Sequence, residues 1–199
     1  MNWSVKSIGF FLLLQAGCAT AADLVRPDID SLKNGETTYS AILDRPGPPR
    51  REGSGVTDGK NVKMTAYSHA STFGTGRSEG VIPARGITFF FVDNVLVGHD
   101  YVSSWREDHT DFDAEKVKGI IKGKTTRADV IALRGKPNGY YTHPLIKPQT
   151  GDAAVYTYGE LKQSDSGLKR LRKTLIATLD VQCVVTDVAY SVSGDQDRR

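Results

Sequence analysis

Gly123, Lys124 and Thr125 together match the end of the phosphate-binding loop G-x-x-x-x-G-K-[ST]. That loop needs four residues between its glycines, because its backbone N–H groups must surround a phosphate. Here only three residues separate Gly119 from Gly123, and the segment before them, residues 112–118, is charged rather than a buried strand. The sequence therefore predicts no nucleotide site at this position.

Other catalytic or metal-binding patterns are also incomplete. The four histidines are scattered, and none forms a close metal-binding pair such as H-x-x-x-H. His69 and His99 lie in strand-like segments and are expected to be exposed sheet residues. The acidic run at residues 108–115 lacks the central glycine and terminal glutamate of a calcium loop, and it is interpreted as a solvated linker. No serine lies in a G-x-S-x-G elbow. The sequence thus predicts a protein without enzymatic activity, metal or cofactor.

A basic cluster is the strongest candidate for a binding site. It consists of Lys169, Arg170, Arg172 and Lys173, at the start of a strand-like segment. It is either a solvated rim that discourages strand pairing or a contact for anionic lipid head groups or an acidic partner. The formal net charge of the chain is only +3, so the composition predicts no nucleic-acid partner.

The N-terminal residues predict an export signal. Lys6 precedes an apolar run at residues 8–14, which is too short to span a membrane and has the length of a signal-peptide core. Small residues then lead to Cys18, a pattern that resembles a bacterial lipoprotein signal in which this cysteine is acylated. Cleavage by an ordinary signal peptidase near residues 19–22 is the alternative.

The second cysteine, Cys183, has no partner if Cys18 carries lipid. It lies in the apolar run 183–185, whereas a reactive cysteine needs an exposed, electropositive setting. We therefore expect Cys183 to be buried and structural.

An internal repeat organises the rest of the chain. Residues 32–49 align without a gap with residues 120–137 at an offset of 88. The similarity continues between residues 86–104 and 173–193, where Leu96-Val97 aligns with Val184-Val185 after one inserted residue. Self-similarity at one spacing indicates duplication. The predicted segments are a signal peptide (1–17), a tether (18–28), a first unit (29–105), a linker (106–111), a second unit (112–193) and a tail (194–199).

Each unit is predicted to fold as α-α-β-β-β. In the second unit, helices are expected at residues 114–121 and after Thr126, which caps its helix together with Asp129. Gly135 ends that helix. The expected strands are 63–69, 87–93 and 95–103 in the first unit and 153–160, 171–180 and 183–192 in the second. The Gly/Ser-rich segment 70–85 is expected to be a mobile loop. The predicted fold class is α+β, a tandem of two units, each a small antiparallel sheet with two helices packed on one face.

The element order and the turn motifs resemble the SmpA/OmlA (BamE-like) lipoprotein family. The residues that carry the resemblance are Gly35, Thr37, Thr38, Ile42, Gly47 and Pro49 in the first unit and Gly123, Thr125, Thr126, Val130, Gly135 and Pro137 in the second. That family shares its fold with β-lactamase-inhibitory protein, itself a tandem of two such units. Single-unit members lie on the periplasmic side of the outer membrane and help the machinery that assembles β-barrel proteins.

The resemblance implies a non-enzymatic outer-membrane lipoprotein, anchored through Cys18, that acts as an interaction or assembly module with an envelope protein as partner. Ala19, rather than aspartate, follows Cys18, which points to the outer membrane. Two alternatives stay open. One is an inhibitor-type binder of a periplasmic or secreted enzyme, and the other is an envelope-stabilising protein that contacts lipid or peptidoglycan.

Overall fold

The computed structural model describes residues 24–43, 49–71, 73–165 and 167–194. Their strands form one antiparallel sheet that curls into a half-barrel. The strands are β1 (Arg51–Thr57), β2 (Lys60–Ala70), β3 (Val81–Ile82), β4 (Ala84–Val92), β5 (Val95–Ser103), β6 (Gly139–Tyr141), β7 (Asp152–Ser164), β8 (Gly167–Leu179) and β9 (Val185–Gly194). The helices are α1 (Tyr39–Leu43) and α2 (Arg127–Arg134), and short 3₁₀ segments lie at Ile29–Ser31 and Glu115–Gly119.

The predicted α+β tandem, with two helices on a separate sheet in each unit, is wrong. The strand order is β1-β2-β4-β5-β6-β7-β8-β9, so one sheet runs through both halves, and β3 pairs with β7. The short strand β6 joins the halves because it pairs with β5 on one side and with β7 on the other. In the described residues each half has one α-helix, and the helix predicted at residues 114–121 is a 3₁₀ segment.

The two predicted helices of the second half start differently, because Asp113 accepts the N–H of Glu115 at 2.9 Å without forming a capping box. Ala114 precedes the 3₁₀ segment and makes no side-chain capping hydrogen bond. Thr126 precedes α2, and it forms the predicted capping box with Asp129. Such a cap stabilises a helix by about 1 kcal/mol, which is decisive for a short segment. The prediction of the second helix and of its cap is confirmed.

Strand β1 was not predicted, because its sequence does not alternate and all its residues are exposed. It pairs along its length with β2 through the turn Asp58-Gly59. Both turn residues have positive φ, 46° and 72°, as a two-residue type I′ hairpin requires. The Asp-Gly pair is therefore the sequence signal that identifies this hairpin.

Two hydrophobic cores lie under the same face of the sheet, one in each half. The core of the first half contains Ile42 of α1 and is rich in aromatic side chains from β2, β4 and β5, which are Tyr67, Phe89, Phe91 and Tyr101. The core of the second half contains Val130 of α2 and more aliphatic side chains, among them Leu175, Ala177, Leu179 and Val185. We call this the helix face, and the opposite side the open face.

The duplicated turn makes the same backbone contacts in both halves. Gly35 donates to the carbonyl of Leu96 (2.8 Å), and Gly123 donates to that of Val185 (2.7 Å). Leu96 and Val185 donate back to the carbonyls of the first threonine of each motif, at 2.8 and 2.9 Å. By these bonds Leu96 of the first half corresponds to Val185 of the second. The sequence alignment had matched Leu96 with Val184, which is wrong by one residue. The second hairpin has the longer turn.

The segment predicted as a loose loop, residues 70–85, contains β3. Val81 and Ile82 pair with Lys162 and Leu161 of β7. The N–H of Gln163 also donates to the carbonyl of Gly80, at 2.8 Å. A segment of the first half is thus bound to a strand of the second half.

Candidate binding surface

The predicted basic cluster is divided between the two faces of the sheet. Side chains alternate along a strand, and on β8 Leu175 and Leu179 belong to the core of the helix face. Lys169 and Lys173 lie an even number of residues from Leu175 and therefore point to the helix face. Arg170 and Arg172 lie between them in the alternation and point to the open face. Cys18, the predicted lipidation site, lies outside the described residues.

Lys173 is engaged within the protein. Its ammonium group forms an ion pair with Asp111, and it donates to the carbonyl oxygen of Phe112 at 2.8 Å. It also lies 5.2 Å from the ring centroid of Phe112 and 5.4 Å from that of Tyr158. The side chain of Lys173 is only 15% exposed, so it stabilises the junction between the halves and is not a surface contact.

The acidic segment interpreted as a solvated linker instead supplies charges to a polar junction. The Asp111 side chain is 9% exposed and also receives the guanidinium of Arg77, at 2.5 Å. Asp108 accepts hydrogen bonds from the hydroxyls of Tyr101 (2.9 Å) and Ser103 (2.6 Å). These bonds hold the chain between the halves against β5, where a solvated linker was expected.

A groove of about 320 Å³ crosses the open face where the halves meet. On the open-face side, small or apolar residues form most of its lining, and the two arginines stand beside them. The open-face lining residues are Ser68, Ala84, Gly86, Val102, Thr157, Gly159, Leu161, Arg170 and Arg172. This groove is the part of the described surface in which residues from both halves converge on the open face.

The groove lies at a break in the strand ladder. On the side of β7 that faces the first half, two short strands pair with it. The pairing with β6 ends at Val155, and the pairing with β3 begins at Leu161, so the residues between these two positions have no strand partner on that side. The side chains of Asn138 and Thr110 fill part of the break, because both donate to the carbonyl of Thr157, at 3.0 and 2.7 Å. Gly159 is the next residue of β7 on the open face after Thr157. It pairs with Arg172 of β8, which places that arginine beside the break.

A buried carboxylate lies close to the groove on the open face. Asp100 is 4% exposed and accepts a hydrogen bond from the hydroxyl of Tyr141 at 2.6 Å. Burial raises the pKa of the Asp100 carboxyl, while the Tyr141 hydrogen bond and the charge of Arg172 act in the opposite direction. The guanidinium of Arg172 is therefore near a carboxyl group that is partly shielded from solvent.

A second cavity, of about 590 Å³, lies between the two duplicated turns. Its charged residues are partly paired, since Arg127 contacts Asp152 at 2.5 Å. Cys183 lines this cavity, is exposed and has a φ of 62°. The prediction of a buried Cys183 is wrong, because the residue lies in the longer turn of the second hairpin rather than in β9.

His99 is also misplaced by the sequence prediction. It is fully buried on the helix face, between Phe89 of β4 and Tyr140 of β6 in register. Neither ring nitrogen has a hydrogen-bond partner among the described residues. Burial lowers the pKa of His99 to about 4, because the charged ring would lose its hydration. His69, on the same face of β2, is partly exposed and stacks on Trp105.

No protein-family model matches the sequence, and no curated protein matches it. Within the described ranges, no group of three or more histidine, cysteine, aspartate or glutamate residues could hold a metal ion. None of the helices formed by these residues is both long and apolar enough to cross a membrane.

Proposed function

We propose that this protein is a lipid-anchored interaction module of the bacterial cell envelope, held at the periplasmic face of the outer membrane through Cys18. The signal-like N-terminus and the duplicated turn, similar to that of SmpA/OmlA (BamE-like) lipoproteins, support the proposal from the sequence. In this proposal the protein binds another envelope protein and catalyses no reaction.

The observation that carries the proposal is the open face of the sheet. Both helices and both hydrophobic cores lie on the other face. On the open face Leu145 packs over Gly98 of β5, and a groove remains at the seam of the two halves. A curved sheet backed by its own core is rigid, and a rigid surface loses little conformational entropy when it binds a partner. The groove residues are mainly small, apolar or cationic, which suits recognition of another chain.

In-cell crosslinking followed by affinity purification and mass spectrometry tests the proposal. The wild type and Cys18→Ser are compared at equal expression. We expect one or a few envelope proteins with the wild type and a clear loss with Cys18→Ser, because the anchor sets the location of the module. Recovery of lipid or cell-wall adducts without any protein would contradict the proposal and favour the envelope-stabilising alternative.

One observation favours the inhibitor-type binder as a second candidate. Phe73, in the segment between β2 and β3, is 99% exposed, and a projecting aromatic side chain can fill a pocket of an enzyme. This candidate predicts recovery of one stoichiometric soluble enzyme that is independent of Cys18 and is lost in Phe73→Ala. The interaction module predicts no effect of Phe73→Ala on its envelope partner.

A further inference from the structure

We infer that the groove at the seam binds an extended acidic segment of a partner protein, with a carboxylate at Arg172 and a small apolar side chain over Gly86 and Gly159. This inference rests on the proposed function, because it names the site and the partner chemistry of the interaction module. Three features of the groove carry it, which are its floor, its position in the sheet and its charge.

The floor of the groove is kept open by two glycines on either side of one valine. A Cβ atom added to Gly86 would lie 3.3 Å from Cγ1 of Val102, and one added to Gly159 would lie 3.6 Å from Cγ2. Any side chain at either position would therefore occupy the groove itself. The space above Val102 accommodates a small apolar group, which gains free energy by burial.

The position of the groove favours an extended ligand. The groove extends across β2, β4, β5, β7 and β8, from Ser68 and Gly86 of the first half to Arg170 of the second. Strands of a sheet lie about 4.8 Å apart, so this span is roughly 15 to 20 Å and corresponds to five or six extended residues.

The charge of the groove selects an acidic segment. Arg170 and Arg172 lie on the open face, and Arg172 forms no ion pair with any carboxylate of the described chain. Glu160 also borders the groove, but its carboxylate accepts a hydrogen bond from the Tyr158 hydroxyl. The other nearby acid, Asp100, is buried and hydrogen-bonded to Tyr141. A guanidinium at an apolar surface binds carboxylates through strong, charge-assisted hydrogen bonds.

Site-specific photocrosslinking tests the inference. In one variant a photoreactive amino acid replaces Ser68, at the rim of the groove. In the control variant it replaces Lys124, which is exposed on the helix side of the protein. After irradiation of cells, the crosslinked peptides are sequenced by mass spectrometry. We expect the Ser68 position to capture a peptide rich in Asp or Glu from an envelope protein, and the Lys124 position not to capture that peptide.

Charge variants identify the contact. Arg172→Glu is expected to lower the yield of the Ser68 adduct at least tenfold, as loss of a charge-assisted contact predicts. Arg172→Lys should retain part of the yield, and Lys169→Glu, on the opposite face of the same strand, should leave it unchanged. If an acidic residue of the captured segment is changed to arginine, the two charges are exchanged between the partners. This change should restore the yield of the Ser68 adduct in the Arg172→Glu variant. The far-UV CD melting curve of each variant checks that it is folded.

The outcomes separate this inference from the proposed function. Capture of an envelope protein by the whole chain, without an acidic adduct at Ser68, overturns the inference and leaves the proposed function standing. Lipid adducts at Ser68, or an adduct that Arg172→Glu does not weaken, also overturn the inference. If the whole chain captures no protein under any condition, both the inference and the proposed function fail.

Discussion

The duplicated turns before α1 and α2 make the same hydrogen bonds to their hairpins, yet the two hairpins differ. The first hairpin turns through Asp93-Asn94, and the second turns through the longer segment 180–183. The N–H of Tyr39 donates to the carbonyl of Asn94, and that of Arg127 donates to the carbonyl of Cys183, both at 2.9 Å. Because these contacts use only backbone atoms, the helix can dock on hairpins with different turns and side chains.

The cores under the two helices differ as well. The core of the first half has four aromatic side chains among nine buried residues, and the core of the second half has three among ten. The repeated turn therefore sets where each helix starts, while the packing beneath the helix differs between the halves. Three experiments test which features the two halves share and which differ between them. They follow in order of the expected change in stability, from the largest to the smallest.

The largest effect is expected from cutting the polar junction between the halves. Asp111→Ala leaves Lys173 without its ion-pair partner in a mostly buried setting and also releases Arg77. Breaking a buried ion pair destabilises proteins by about 3 kcal/mol or more. We expect a loss of about that size in the free energy of urea unfolding, followed by Trp105 fluorescence and far-UV CD.

Glu115→Ala is the matched control for the junction. It removes an ion pair with Lys118 in which both side chains are 77% exposed. Exposed pairs contribute little, so the free energy of unfolding should stay close to that of the wild type. Equal losses in Asp111→Ala and Glu115→Ala would show that Asp111 does not hold the halves together. Non-coincident fluorescence and CD transitions in Asp111→Ala would show that the halves unfold separately.

An intermediate effect is expected from acidification, through His99 of the first half. Its pKa of about 4 lies below the ordinary value of 6.5, so the unfolded chain binds the proton more readily. The contribution to stability is complete above pH 6.5 and is lost as the pH falls toward 4. Between pH 7.5 and pH 5 the loss should be about 2 kcal/mol.

His99→Phe should remove this part of the pH dependence, because phenylalanine cannot be protonated. The measurement is urea unfolding at pH 7.5, 6.5 and 5.0. His109→Gln, at an exposed site, is the control and should keep the slope of the wild type. A slope that is unchanged in His99→Phe would mean that other groups cause the acid sensitivity.

The smallest effect comes from the caps of the two helices. Asp129→Ala removes half of the capping box of α2 and should lower the melting temperature. The first half has Ala41 at the matching position, and its N–H donates to the Thr38 hydroxyl at 3.4 Å. Ala41→Asp should therefore complete a capping box on α1 and stabilise the protein by about 0.5 kcal/mol.

Ala41→Ser serves as the control for α1, since serine is too short to reproduce the box and should change the melting temperature little. If Ala41→Asp destabilises the protein, then α1 and α2 do not start with equivalent geometry. The comparison of the two halves would then hold for the backbone bonds but not for the caps.

Patterns that act within a few residues of each other were predicted well from the sequence. The long strands alternate, and the capping box of Thr126 and Asp129 was found with its helix. Strand β6 could not be predicted, because only three residues form it and their pairing depends on β5 and β7. That missing strand is the reason why the sequence suggested two separate sheets.

The candidate site was predicted only in part. The strand period alone could have divided the basic cluster, because Arg170 and Arg172 necessarily point away from Lys169 and Lys173. The burial of His99 could not be predicted, since it depends on neighbours in β4 and β6. Gly86 and Gly159 carry no sequence signal for a groove, because their importance appears only when Val102 lies between them.

The pairing of β3 with β7 has a consequence for the biosynthesis of the chain. Val81 leaves the ribosome about 80 residues before its partner Lys162. At typical synthesis rates that interval is roughly 4 to 16 s. During it, β3 has no partner strand, and Val81, which is buried in the folded protein, is exposed. Chaperones that meet the nascent chain during this interval would therefore find their binding site in the first half, and completion of β7 would remove it.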